Sequence, residues 1–138
     1  GPAPLFFIAC RMPICHSDLM GLTHLTVTVT NPADGKSQDE LFLVDTGAID
    51  SLFPTKYLEK LGFERRGTRP YELADGTKLN MDITVAELSF MGDVTGGTVI
   101  FGPDDAEPIL GVTALESVGI GVDPKTQSLK RFPAVSLK

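Results

Sequence analysis

The stretch Leu41-Phe42-Leu43-Val44-Asp45-Thr46-Gly47-Ala48 decides the reading of this chain. Four apolar residues in a row suit a strand covered on both faces, and they deliver Asp45 to the strand end, where functional groups often sit. Gly47 allows a tight turn, so that its amide and the neighbouring amides can point at the Asp45 carboxylate. Thr46 adds a hydroxyl able to bond across to a partner. Asp, Thr and Gly are also ordinary turn residues, so the tripeptide acquires meaning only from what surrounds it.

Upstream, residues 22–30 alternate with β-branched residues and read as a half-buried strand. His24 lies on its polar face without any nucleophile motif, which makes it a solvent or interface residue. Asn31-Pro32-Ala33-Asp34-Gly35-Lys36 is a turn, and residues 38–45 return as the strand that carries Asp45. Downstream, residues 54–61 read as a short helix, with Pro54 near its first turn and Gly62 past its end. Residues 71–74 and 78–91 read as strands joined through Asp75-Gly76, a strong hairpin signal. Residues 83–90 alternate with period two, and 97–101 is a buried strand candidate. Pro108-Ile109-Leu110-Gly111 is a second apolar strand end closed by a glycine, followed by a short helical stretch from Val112 that Gly119 stops. Many short strands with Gly and Pro turns predict an all-β fold, a closed barrel with one or two short helices.

The chain has 138 residues, enough for one domain that buries about two thirds of its unfolded surface. With 42% hydrophobic and 22% charged residues the composition is globular. No apolar run approaches the roughly 20 residues of a membrane helix. The net charge of −6 argues against binding a phosphate backbone, which needs clustered Lys and Arg. Arg65-Arg66 and Lys130-Arg131 are too short for that role and read as solvated residues. Cys10 and Cys15 would close only a tiny loop, and with His16 they leave a zinc site incomplete. No metal is expected. Residues 1–19 look foreign to the rest. Gly1-Pro2 resembles the scar left by tag removal, and Met20-Gly21 offers a natural start. The alternative is a leader, but the apolar Leu5-Phe6-Phe7-Ile8-Ala9-Cys10 lacks a basic flank and is shorter than the usual minimum of about seven. The single domain is therefore drawn over residues 20–138.

Val44-Asp45-Thr46-Gly47-Ala48, followed by Leu52-Phe53-Pro54, Tyr57-Leu58-Glu59-Lys60-Leu61-Gly62, the later Pro108-Ile109-Leu110-Gly111 with its helix, and the late hairpin Gly121-Val122-Asp123-Pro124-Lys125-Thr126-Gln127-Ser128-Leu129, resembles the retropepsin-like aspartic proteases. The match is to single-domain members found outside retroviruses and runs over residues 22–133. The resemblance implies a closed barrel of the retropepsin type and an aspartic endopeptidase without cofactor or metal. Peptide hydrolysis in that family uses water held between two carboxylates that share a proton, one acting as base and one as acid. Close like charges cannot both ionise, so the pair works best below neutral pH. This chain carries one Asp-Thr-Gly, so the resemblance implies a twofold homodimer acting on a peptide or protein substrate. Asp45, Thr46 and Gly47 would be its catalytic residues, with Thr46 bridging to the other subunit's loop. Ala48 would bind substrate main chain. Leu73, Ala74, Asp75, Gly76 and Thr77 would form the flap over it, whereas the residues alone allow an ordinary surface hairpin.

Retroviral enzymes typically place an Asp directly after Asp-Thr-Gly-Ala and an Arg after the later Gly, and the two form an ion pair that supports the dimer. Here Ile49 and Val112 stand there, so both charges are lost together and an apolar contact can substitute. The Gly-rich retroviral flap is absent too. Asp50, beside the active loop, is expected either to bind a substrate terminus or to brace the dimer. Asp75, Asp82, Asp93, Asp104 and Asp105 read as solvated. The rival expectation is a non-catalytic dimerisation or peptide-binding module on the same barrel, since fold does not fix function.

Overall fold

A computed structural model describes residues 23–73, 75–123, 125–126 and 128–132. The extension over residues 1–19, both cysteines and Ala74 lie outside the described residues. β1 (Thr23–Thr30) and β2 (Ser37–Asp45) run antiparallel, with Thr23 opposite Val44 and Thr30 opposite Ser37. β3 (Ser51–Pro54) leads directly into α1 (Thr55–Lys60). β4 (Gly67–Glu72) and β5 (Lys78–Phe90) form a hairpin, and β6 (Asp93–Gly102) returns along β5. β7 (Ile109–Gly111) runs into α2 (Val112–Ser117), and β8 (Ile120–Val122) pairs with β9 (Leu129–Arg131) as the late hairpin.

The strands order as β1-β2-β7-β3-β6-β5, and β1 also pairs with β5, so six strands close on themselves. Closure removes the exposed edges that an open sheet would offer. β4 hangs outside the closed ring, hydrogen-bonded to β5. This is the closed all-β barrel that the sequence predicts, with two short helices among the described residues. The alternation read in residues 22–30 and 83–90 decides what faces inward: Val27 and Val29 are fully buried, and Thr84, Ala86, Leu88 and Phe90 are buried at every second position of β5. Phe42 and Phe53 stack with centroids 5.2 Å apart at the centre of this core. Fully burying a side chain of that kind stabilises the fold by roughly 1.5–3 kcal/mol. Among the described residues no helix is long and apolar enough to cross a membrane.

Four sequence expectations change. The strand drawn to Met91 ends at Phe90, because Met91 and Gly92 both take positive φ, 52° and 82°, and form the turn into β6. The strand drawn from Tyr71 begins at Gly67 instead, since Pro70 lies on an outer strand where its missing N–H breaks no ladder bond. The basic pairs are not merely solvated. Arg65 bonds Asp82 and Glu59 and stacks over the Phe101 ring at 4.5 Å, and Arg131 bonds Asp93 and the Met91 carbonyl. Asp82 and Asp93 are thereby engaged as well, and Asp104 accepts from the Lys56 amide at the start of α1.

Thr84 carries a fully enclosed hydroxyl with no hydrogen-bond partner among the described residues. An unpaired buried hydroxyl costs about 1–3 kcal/mol, so Thr84→Val, which keeps the shape, is expected to stabilise the fold by about 1 kcal/mol. A higher urea midpoint at unchanged slope is the expected signature.

Candidate active site

β2 and β7 lie side by side and parallel, with Leu43 opposite Ile109, Val44 opposite Leu110 and Asp45 opposite Gly111. The two sequence motifs, far apart in the chain, therefore end at the same level of the barrel. Leu110 is fully buried and Val44 nearly so, which fixes the height at which Asp45 leaves the strand. Asp45 is 9% exposed. Its Oδ1 accepts from the Gly47 amide at 2.9 Å, and its carbonyl accepts from the Ala48 amide at 3.1 Å. Thr46 is exposed beside it, and Ala48 is buried beneath.

The loop is then clamped from below. The first amides of a helix have no partner inside the helix. In α2 the Val112 amide donates to the Ala48 carbonyl at 2.7 Å, the Thr113 amide points to the Ile49 carbonyl at 3.3 Å, and the Gly111 amide donates to Ser51 Oγ at 3.0 Å. Ile49 and Val112, which stand where the retroviral enzymes have an Asp and an Arg, each bond the other segment's neighbour: Val112 donates to Ala48, and Ile49 accepts from Thr113. The Ile49 side chain is 53% exposed.

In the folded chain Asp50 meets two side chains of β4. Its Oδ2 accepts from the Tyr71 hydroxyl at 2.6 Å and from Arg69 Nη1 at 3.0 Å. Burial first, then the bond to Asp50, pushes the Tyr71 phenol far above its ordinary pKa, so it stays a donor. Sequence reading missed Arg69 and Tyr71 as site residues. Their spacing of two, which puts both on one face of a strand, was the available signal.

The β4–β5 hairpin meets the loop at its root. Leu73 is buried in an apolar cluster with Ala48, Leu52, Ile100, Ala106 and Ile109, against which Tyr71, Leu79, Met81 and Ile83 pack. The Leu73 amide donates to the Thr77 carbonyl and the Gly76 amide to the Leu73 carbonyl. Gly76 takes a φ of 90°, as this turn requires. Asp75 accepts from the Thr77 amide at 2.9 Å, which holds its carboxyl below the ordinary pKa. Of the residues expected to bind substrate, Ala48 and Leu73 come together. Asp75, Gly76 and Thr77 stand exposed at the tip. Among the described residues no cluster of three or more His, Cys, Asp or Glu could hold a metal ion.

No family model matches the chain, and no curated protein matches it. Among solved structures it is similar to a retropepsin-like aspartic protease from Rickettsia conorii, at 23% identity over 74% of this chain and 86% of that chain, with a TM-score of 0.49. It is also similar to EIAV protease complexed with the inhibitor HBY-793, at 24% identity over 70% of this chain and 88% of that one, with a TM-score of 0.46.

Proposed function

We propose that this chain is an aspartic endopeptidase whose active form is a twofold homodimer. The observation that carries the reading is the Asp45 loop. A nearly buried carboxylate leaves a core strand, is held by the Gly47 amide, and sits in a loop clamped by α2, with the exposed Thr46 beside it. Such fixing is what an acid–base group needs.

One carboxylate cannot be base and acid at the same moment, and the sequence has one Asp-Thr-Gly. Two copies supply both roles. Water adds to the substrate carbonyl carbon while the ionised member takes its proton and the protonated member gives its own to the carbonyl oxygen. The member now protonated then gives its proton to the departing nitrogen as the C–N bond breaks, while the other takes a proton from a diol hydroxyl, so that the pair again shares one proton. Thr46 would bridge the two loops, and Gly47 and Ala48 would line the floor. The hairpin would act as a flap, with Leu73 through Thr77 over an extended peptide held by β-type hydrogen bonds.

The test is cleavage of an unfolded protein substrate at serial dilutions of the chain. Activity per chain is expected to fall as the dimer dissociates, in step with its mass by light scattering. Activity that persists undiminished in the monomer would overturn the dimer. A stable dimer that cleaves nothing from pH 4 to 7 would favour the binding module instead.

A further inference from the structure

β4 is hydrogen-bonded to β5 and, among the described residues, to no other strand. Its other restraint comes from side chains. Arg69 and Tyr71 face the same way and both donate to one oxygen of Asp50, at 3.0 and 2.6 Å. The Asp50 side chain is 11% exposed and the Arg69 side chain 46%. Asp50 follows the active loop directly, and its main chain presses against Gly111 at the end of β7. A single carboxylate therefore ties the loop that holds Asp45 to the strand that leads to the hairpin tip. The contact is charge-assisted, and charge-assisted bonds are about twice as strong as neutral ones. Opening the hairpin at its root would strip the carboxylate of both donors and expose the faces of Leu73 and Tyr71 that pack on the second core cluster.

We infer that Asp50 is a positioning residue: with Tyr71 and Arg69 it latches the hairpin root onto the active loop, and so sets how readily the hairpin closes on an extended peptide. The inference rests on reading Asp45 as the catalytic carboxylate, but the latch itself acts on the hairpin and leaves the acid–base groups alone. Without it, a smaller fraction of molecules holds the closed hairpin, and apparent substrate affinity drops by that fraction.

Tyr71→Phe removes the hydroxyl and keeps the ring. It is expected to raise KM by about five- to tenfold with kcat within about twofold, the loss of one strong hydrogen bond. Amide hydrogen exchange should quicken by a similar factor in residues 73–80 while β1 and β2 keep their protection. Asp50→Asn should do the same, and adding Tyr71→Phe to it should cost less than the sum of the two. Arg69→Ala, at an exposed position, keeps the fold and should give a smaller shift in the same direction. Hairpin exchange that stays at the wild-type rate in all three variants would overturn the latch. So would exchange that quickens equally across β1 and β2, or a loss confined to kcat. Exchange reads the latch whether or not the chain cleaves peptides, so failure of the protease reading would appear separately, as cleavage unaffected by Asp45→Asn.

Discussion

Asp45→Asn is expected to lower peptide cleavage by at least about 10³-fold while leaving the fold intact, because the proposed dimer would lose both acid–base groups at once. The substitution is close to isosteric. The amide oxygen of asparagine can still accept from the Gly47 amide, and the main-chain bonds that hold the loop, Ala48 amide to Asp45 carbonyl and Val112 amide to Ala48 carbonyl, involve no carboxylate. What disappears is a group able to take and return a proton. Circular dichroism and the urea midpoint should match wild type, so that loss of cleavage reports chemistry. Mixing supplies a sharper version. Wild type combined with an equal amount of Asp45→Asn, and allowed to exchange subunits, should fall to about half its activity, because random pairing places half of the wild-type chains in mixed dimers. A mixture that keeps full activity would mean that each chain works alone. Unchanged cleavage in the variant itself would remove Asp45 from the mechanism.

Legibility in the sequence followed the range of the interactions. The apolar run before Asp45, the glycine-closed strand end at Gly111 and the alternation in β1 and β5 are local patterns, and they placed the core strands correctly. Their pairing across the barrel, Asp45 beside Gly111, was not legible, since nothing local in either segment specifies the other. Pro70 concealed half of β4, because a proline argues against a strand unless that strand is known to lie outside the ring. The Asp50 contacts were illegible for a related reason. Residues 50, 69 and 71 meet only after the hairpin folds back on the loop, and a lone Asp beside a turn carries no sign of what will approach it. Arg65 looked like half of a solvated basic pair until the folded chain brought Phe101 beneath it and Asp82 beside it.

Gly111→Ala tests the other half of the motif pair, and it is expected to damage both stability and activity. The usual reason for a glycine does not apply here: the residue sits at φ −82° and ψ 165°, an extended conformation open to any amino acid. The reason is space. A Cβ at this position would stand 2.6 Å from the Ile49 carbonyl oxygen and 2.7 Å from the carbonyl carbon and oxygen of Asp50. These are backbone atoms, which cannot swing aside as the end of a side chain can. β7 cannot retreat either, because β2 and β3 pair with it on both sides. The loop must therefore lift, and lifting it strains the bonds from the Val112 and Thr113 amides. Overpacking of this kind costs about 1–3 kcal/mol, and each weakened hydrogen bond adds about 1 kcal/mol. Because the same loop carries Asp45, a displacement near 1 Å should also cost about 10²-fold in rate. Gly97→Ala is the matched control. A Cβ there meets nothing within 4 Å, so both stability and rate should stay near wild type. If Gly111→Ala melted and cleaved like the control, the close packing of β7 under the active loop would have no part in holding Asp45.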